Sequence, residues 1–189
     1  MRNFIREIHD SFEMTTLFVT HDQEEAMTMS TRIALLHEGR IEQLDTPRRM
    51  YEYPASVYAA GFIGLANIFH GVVKSQQDEL VTISSDDLGA DVQISHGQPL
   101  VAGMDISMII RPEKIQVSTA APDQTNSITG VIKEIAYLGD VSIYHAELPT
   151  GKRIKFTQSN VQPLAEQPLT WDQTVTLSWS PYSCGLLTQ

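Results

Sequence analysis

Hydrophobic positions along this chain follow two rhythms, and the change between them falls near residue 66. Up to that point helical and strand periods alternate. Phe4, Ile5, Ile8 and Phe12 recur at helical spacing, which predicts an amphipathic helix. Thr15 to Thr20 is β-branched and apolar without polar alternation, the pattern of a strand covered on both faces in a parallel sheet. Asp22 and Glu25 have the spacing of a capping box, so a helix is predicted from there through Ala26 to Met29, with His21 at the strand-to-helix junction. Arg32 to Leu36 and Arg40 to Leu44 flank His37-Glu38-Gly39, a hairpin with Gly39 at the left-handed position. Thr46-Pro47 opens another helix with Pro at its first position, and Pro54 limits its end.

From Asn67 onward helical periodicity is scarce. Short β-rich runs take over: Ile68 to Val73, Leu80 to Ile83, Ser107 to Ile110, Thr129 to Ile135, Val141 to Leu148, Arg153 to Thr157 and Thr174 to Trp179. Turn residues separate them, which predicts a small barrel or sandwich. No internal repeat and no low-complexity tract is evident in the pattern. The expected organisation is therefore an α/β region over 1–66 and an all-β domain over 67–189.

Composition narrows the function classes. With 189 residues, 42% hydrophobic and 19% charged, the chain can bury a core and should fold. Its formal charge of −10 is spread over both regions, six basic against ten acidic residues in 1–66 and seven against thirteen in 67–189. Neither region is a basic platform, so nucleic acid is not expected as a partner. Cys184 is the only cysteine, which excludes an internal disulfide and a cysteine-based zinc site. The longest apolar stretch, Val57 to Phe69, has 13 residues, includes Asn67 and two glycines, and is too short to span a bilayer. The first ten residues mix charge with apolar side chains, unlike a signal peptide, so the expected compartment is the cytoplasm.

Candidate chemistry is sparse. An imidazole at the mouth of a strand and the start of a helix is placed to meet a phosphate, because the helix amides and dipole there favour an anion. From position alone His21 reads first as a satisfied junction histidine. His21, Asp22, Glu24 and Glu25 can also be weighed as metal ligands, but a cap and a solvated acidic first turn account for the carboxylates without an ion.

The wider string carries more. Val19-Thr-His-Asp-Gln-Glu-Glu-Ala-Met-Thr-Met29, Arg32 to Leu44, Thr46-Pro47, Tyr51-Glu-Tyr-Pro54 and Ala60-Gly-Phe-Ile-Gly64 resemble the C-terminal end of an ABC-transporter ATPase subunit. The resemblance implies that residues 1–66 are an α/β remnant of a P-loop ABC ATPase domain. It also implies that His21 is the switch histidine, a catalytic group contacting the ATP γ-phosphate in the complete subunit. No G-x-x-x-x-G-K-[ST] occurs; Gly151-Lys152 continues to Arg153 and lacks the upstream glycine and the hydroxyl that would hold Mg²⁺. The signature sequence and the strand ending in the catalytic Glu are likewise missing. Phosphoryl transfer needs the Lys-bearing loop, metal and water-orienting carboxylate together. The chain is expected to be a truncated subunit, inactive alone, with ATP and Mg as cofactors only of the complete one.

Met108-Ile-Ile-Arg-Pro-Glu113 and Ala136 to Leu148 are similar to two segments of the TOBE module, an OB-like β-barrel appended to importer ATPases. Here Arg111 and Glu113 are expected to fix a strand end, and Tyr137 and Tyr144 to pack the barrel. Ile135 to His145, Trp171-Asp172 and Cys184 to Thr188 look most like the putrescine-type polyamine importers. That resemblance implies membrane permease subunits and a second ATP-binding subunit as partners, with a periplasmic solute-binding protein engaged indirectly, on the inner face of the plasma membrane. Sensing of internal polyamine would need Asp140, Glu147 and Tyr137 to come together. The other reading, from a different class, is a non-catalytic dimerisation or regulatory module built on the barrel.

Overall fold

The computed structural model describes residues 11, 14–118, 124–160 and 169–188, and the chain divides into two compact units, 1–64 and 65–189. In the N-terminal unit the helix expected over Phe4 to Phe12 lies outside the described residues. Thr15 to Thr20 is not a strand. It runs irregularly with Leu17 92% and Val19 87% exposed, because no described strand offers it a ladder and its backbone groups stay with solvent. The expected α/β layer is corrected accordingly: among the described residues this unit has no parallel sheet, only an antiparallel hairpin and three short helices.

Those elements form for the reasons the pattern implied. Helix α1 (Gln23–Met29) starts at Asp22, whose carboxylate accepts from the Glu25 amide at 3.0 Å. Strands β1 (Ile33–His37) and β2 (Arg40–Asp45) close through Glu38 and Gly39, both with positive φ, the geometry of a two-residue turn matched to strand twist. Helix α2 (Pro47–Glu52) is capped by Thr46 and carries Pro47 at its first position. A third helix, α3 (Val57–Phe62), is capped by Ser56; its six residues are too few to show a period. Ile33, Leu35, Met50, Ala59 and Ile63 form a small core, and the His37 ring stacks on Tyr58 at 3.5 Å.

The C-terminal unit is all-β. One sheet has the order β12 (Cys184–Thr188), β6 (Asp105–Ile110), β3 (Asn67–Gln77), β4 (Leu80–Ser85), β5 (Ala90–Ser95). The other has β10 (Arg153–Ser159), β9 (Val141–Glu147), β8 (Asn126–Tyr137), β11 (Thr174–Trp179), β7 (Gln116–Ser118). All pairs are antiparallel. The small barrel or sandwich expected from the pattern is built from two five-stranded sheets around one core. Both contribute to it: Phe69, Val81, Ile83 and Met108 from the first, Ile132, Phe156, Leu177 and Trp179 from the second. Alternation of buried and half-buried positions along β4 and β9 shows each strand turning one face inward.

Candidate functional site

His21 occupies a bend between Thr20 and α1. Its neighbours fix that bend from both sides: the Asp22 amide donates to Thr20 Oγ1 at 3.0 Å, and the Thr20 hydroxyl donates to Glu25 Oε2 at 2.9 Å. Gln23 Oε1 accepts from the Gly64 amide at 2.9 Å, tying the start of the helix to the end of the unit. The imidazole is left exposed. The expectation that helix amides draw an anion here is weakened, because Asp22 already caps the first turn and Glu24 and Glu25 supply carboxylates to the same end of the dipole. The described residues around this bend do not make a nucleotide cradle.

The same bonds bear on the metal reading, since Asp22 and Glu25 are engaged by the Glu25 amide and the Thr20 hydroxyl. Among the described residues no group of three or more His, Cys, Asp or Glu side chains is arranged to hold a metal ion.

In the C-terminal unit Arg111 is 4% exposed and its Nη1 donates to the Leu65 carbonyl at 3.1 Å, fixing the first residue of the unit against the end of β6. Glu113 lies in the 3₁₀ turn Pro112–Lys114 that follows. Tyr144 packs the core as expected, its ring stacked on Phe156 at 5.0 Å. Tyr137 does not: it is 72% exposed near the tip of the β8–β9 hairpin. Asp140 lies in that tip, whereas Glu147 pairs with Val131 at the far end of β9, roughly 20 Å away at the strand rise. The fold therefore does not bring Tyr137, Asp140 and Glu147 together. Burial pushes the Cys184 thiol up to about 12, so it carries no thiolate near neutrality.

The pattern missed Asp87. Its Oδ2 accepts from the His70 amide at 2.8 Å, its Oδ1 from Lys152 Nζ at 3.1 Å, and its carbonyl from the Thr150 hydroxyl at 2.8 Å. Burial opposes its ionisation most strongly, but the His70 amide and Lys152 together outweigh it and hold the carboxyl below its ordinary range. Asp87 thus joins the β4–β5 and β9–β10 connections. Beside it runs an open groove of about 560 Å³ lined by His70, Val72, Ser84, Asp86, Asp87 and Asp105. Ser84-Ser85-Asp86-Asp87 reads only as turn chemistry in the sequence, and nothing there signals its long-range partners.

Residues 108–187 match the TOBE domain family. The C-terminal unit carries a TOBE domain. The chain as a whole is 37% identical over 176 residues to the putrescine transport ATP-binding protein PotG of Escherichia coli (strain K12), covering 93% of this chain and 47% of that protein. It is 38% identical over 179 residues to the spermidine/putrescine import ATP-binding protein PotA of Thermobifida fusca (strain YX), covering 94% and 46%. The chain thus spans about half the length of the curated relatives it matches. A solved structure of the cytoplasmic molybdate-binding protein ModG superposes with a TM-score of 0.56 over 65% of this chain and 96% of that one. At 18% identity it shares the fold of the TOBE unit and no more. No helix among the described residues is long and apolar enough to cross a membrane.

Proposed function

We propose that this chain is the C-terminal portion of the ATP-binding subunit of an ABC importer for polyamines such as putrescine. The observation that carries the reading is its 37% identity with PotG over 93% of the chain, which extends through both units. In this reading residues 1–66 are the end of the ATPase domain with its switch loop, and residues 67–189 are the appended TOBE domain. ATP and Mg belong to the complete subunit, whose partners are membrane permease subunits and a second ATP-binding subunit, with the solute-binding protein engaged indirectly. The subunit works on the cytoplasmic face of the membrane and never touches the solute, so nothing in these side chains should select putrescine.

His21 is assigned the γ-phosphate contact in the complete subunit. Its support is local: the Thr20, Asp22 and Glu25 hydrogen bonds hold the bend while leaving the imidazole exposed. His21→Ala in the complete subunit should lower turnover by roughly 100-fold while leaving nucleotide binding and folding nearly unchanged. Normal turnover would return His21 to a junction residue. Deleting the gene should abolish putrescine uptake, and unchanged uptake would overturn the transport reading whatever His21 does.

A further inference from the structure

Gln23 uses its side chain differently from its neighbours. Thr20, Asp22 and Glu25 bond to one another over five residues or fewer. Those three bonds give the bend at His21 its shape but no place in the unit, since their donors and acceptors move together. Gln23 Oε1 instead accepts from the Gly64 amide, 41 residues along the chain, at 2.9 Å. A bond of that range ties the bend to a distant part of the unit.

The far end of the bond is well anchored. Gly64 follows α3 directly, and the residue between them, Ile63, is 2% exposed in the small core with Ala59. The Ile63 amide donates to the Ala59 carbonyl at 3.0 Å, and Gly64 then takes φ 73°, the left-handed conformation in which a chain commonly leaves a helix. Glycine adopts it without strain, so the Gly64 amide is held close to a buried side chain at no conformational cost.

The near end needs such an anchor. Helix α1 has only seven residues, and a helix this short gains little stability from its own ladder. Ala26 and Met27 pack against the small core one turn beyond Gln23. These apolar contacts hold the body of α1 but are non-directional. The first turn, which begins two residues after His21, is placed by the directional bond from Gly64 to Gln23.

We propose that Gln23 is a positioning residue for the switch histidine, its bond with the Gly64 amide setting where His21 stands relative to the core of its unit. The inference rests on the γ-phosphate reading of His21 and adds a residue that touches no nucleotide. Displacing a reacting group by an ångström can cost about 100-fold in rate. Removing a positioning bond, however, gives up no more than the bond's own free energy, which for one exposed neutral hydrogen bond corresponds to roughly 2- to 10-fold. The effect of losing Gln23 should therefore be real but well below that of losing the imidazole.

Two substitutions at Gln23 test this. Gln23→Met keeps the length and leaves only a weakly accepting sulfur, whereas Gln23→Glu keeps an oxygen that can accept from Gly64. In the complete subunit Gln23→Met should lower kcat roughly fivefold at unchanged KM for ATP, and Gln23→Glu should restore most of it. In the 189-residue chain itself, Gln23→Met should speed hydrogen exchange at the Gly64 amide roughly fivefold, with Gln23→Glu close to the parent and the amides of β6 unchanged. A normal kcat for Gln23→Met, a loss that Gln23→Glu does not reverse, or unaltered exchange at Gly64 would overturn the inference. His21→Ala assayed beside them separates the two claims. Normal turnover there removes the phosphate reading and this inference together; a full loss there beside a silent Gln23→Met removes this inference alone.

Discussion

Leu17-Phe18-Val19 and Met108-Ile109-Ile110 are equally apolar, yet the first run is irregular and solvent-facing while the second lies in a central strand. The difference is in the neighbours. β6 has β12 on one side and β3 on the other, so its amides and carbonyls are paired and its side chains can be buried. Thr15 to Thr20 has no such flank among the described strands, and an apolar run without a ladder gains little by extending. A hydrophobic pattern thus states what a segment would bury, whereas the fold depends on who is there to bury it.

Truncating one apolar side chain in each region is the strongest way to break that comparison. Trp179 is 1% exposed in the shared core of the two sheets, and Trp179→Ala should cost about 3–5 kcal/mol in denaturant unfolding of the TOBE unit. Leu17→Ser, at 92% exposure, should change stability by no more than about 0.5 kcal/mol. A large loss at Leu17 would mean that the N-terminal run is buried in solution and that its contrast with β6 is false.

The two sheets allow a finer comparison. A Cβ added at Gly71 would lie 2.5 Å from Ile83 Cγ2 and 2.9 Å from the Ser84 carbonyl, so something must move. At Gly130, in β8 of the other sheet, the nearest atoms are Ala146 Cβ at 3.1 Å and the Glu147 carbonyl at 3.4 Å. Gly71→Ala should therefore destabilise by about 1–3 kcal/mol, and Gly130→Ala by less. Equal costs from paired thermal melts would show that the strand spacing adapts freely at both sites.

Legibility in the sequence followed the range of the interactions involved. The Asp22 cap, the Glu38-Gly39 turn and the Thr46-Pro47 start depend on residues one to four steps apart and were all readable. So were most strands of the TOBE unit, whose side chains alternate. Three strands were not: β5, β7 and β12, the last carrying the Gly185 and Cys184 that dilute a β pattern. β7 and β12 also close sheets whose other strands lie elsewhere in the chain, which no local window can register. For the site, the bend at His21 was visible because its cap is local. Asp87 was invisible because its partners His70, Thr150 and Lys152 are 17 to 65 residues away.

Asp87 also offers the mildest test, since it joins the two sheets by polar contacts instead of apolar burial. Its carboxyl is held below the ordinary aspartate range: burial opposes ionisation most, but the His70 amide and Lys152 outweigh that opposition. A depressed carboxylate pKa means that the unfolded chain binds the proton more readily than the folded one. The contribution is therefore fully present above the ordinary Asp value and is lost as pH falls through it toward the lowered one. Asp87→Asn keeps the side-chain size and can still accept from the His70 amide through its carbonyl, but loses the charge facing Lys152. Relative to the parent, the variant should melt a few degrees lower at neutral pH, and the gap should close below about pH 4. A gap that is constant from neutral pH into that acid range would mean that the amide disturbs packing, and that charge at the junction contributes nothing to holding the two sheets together.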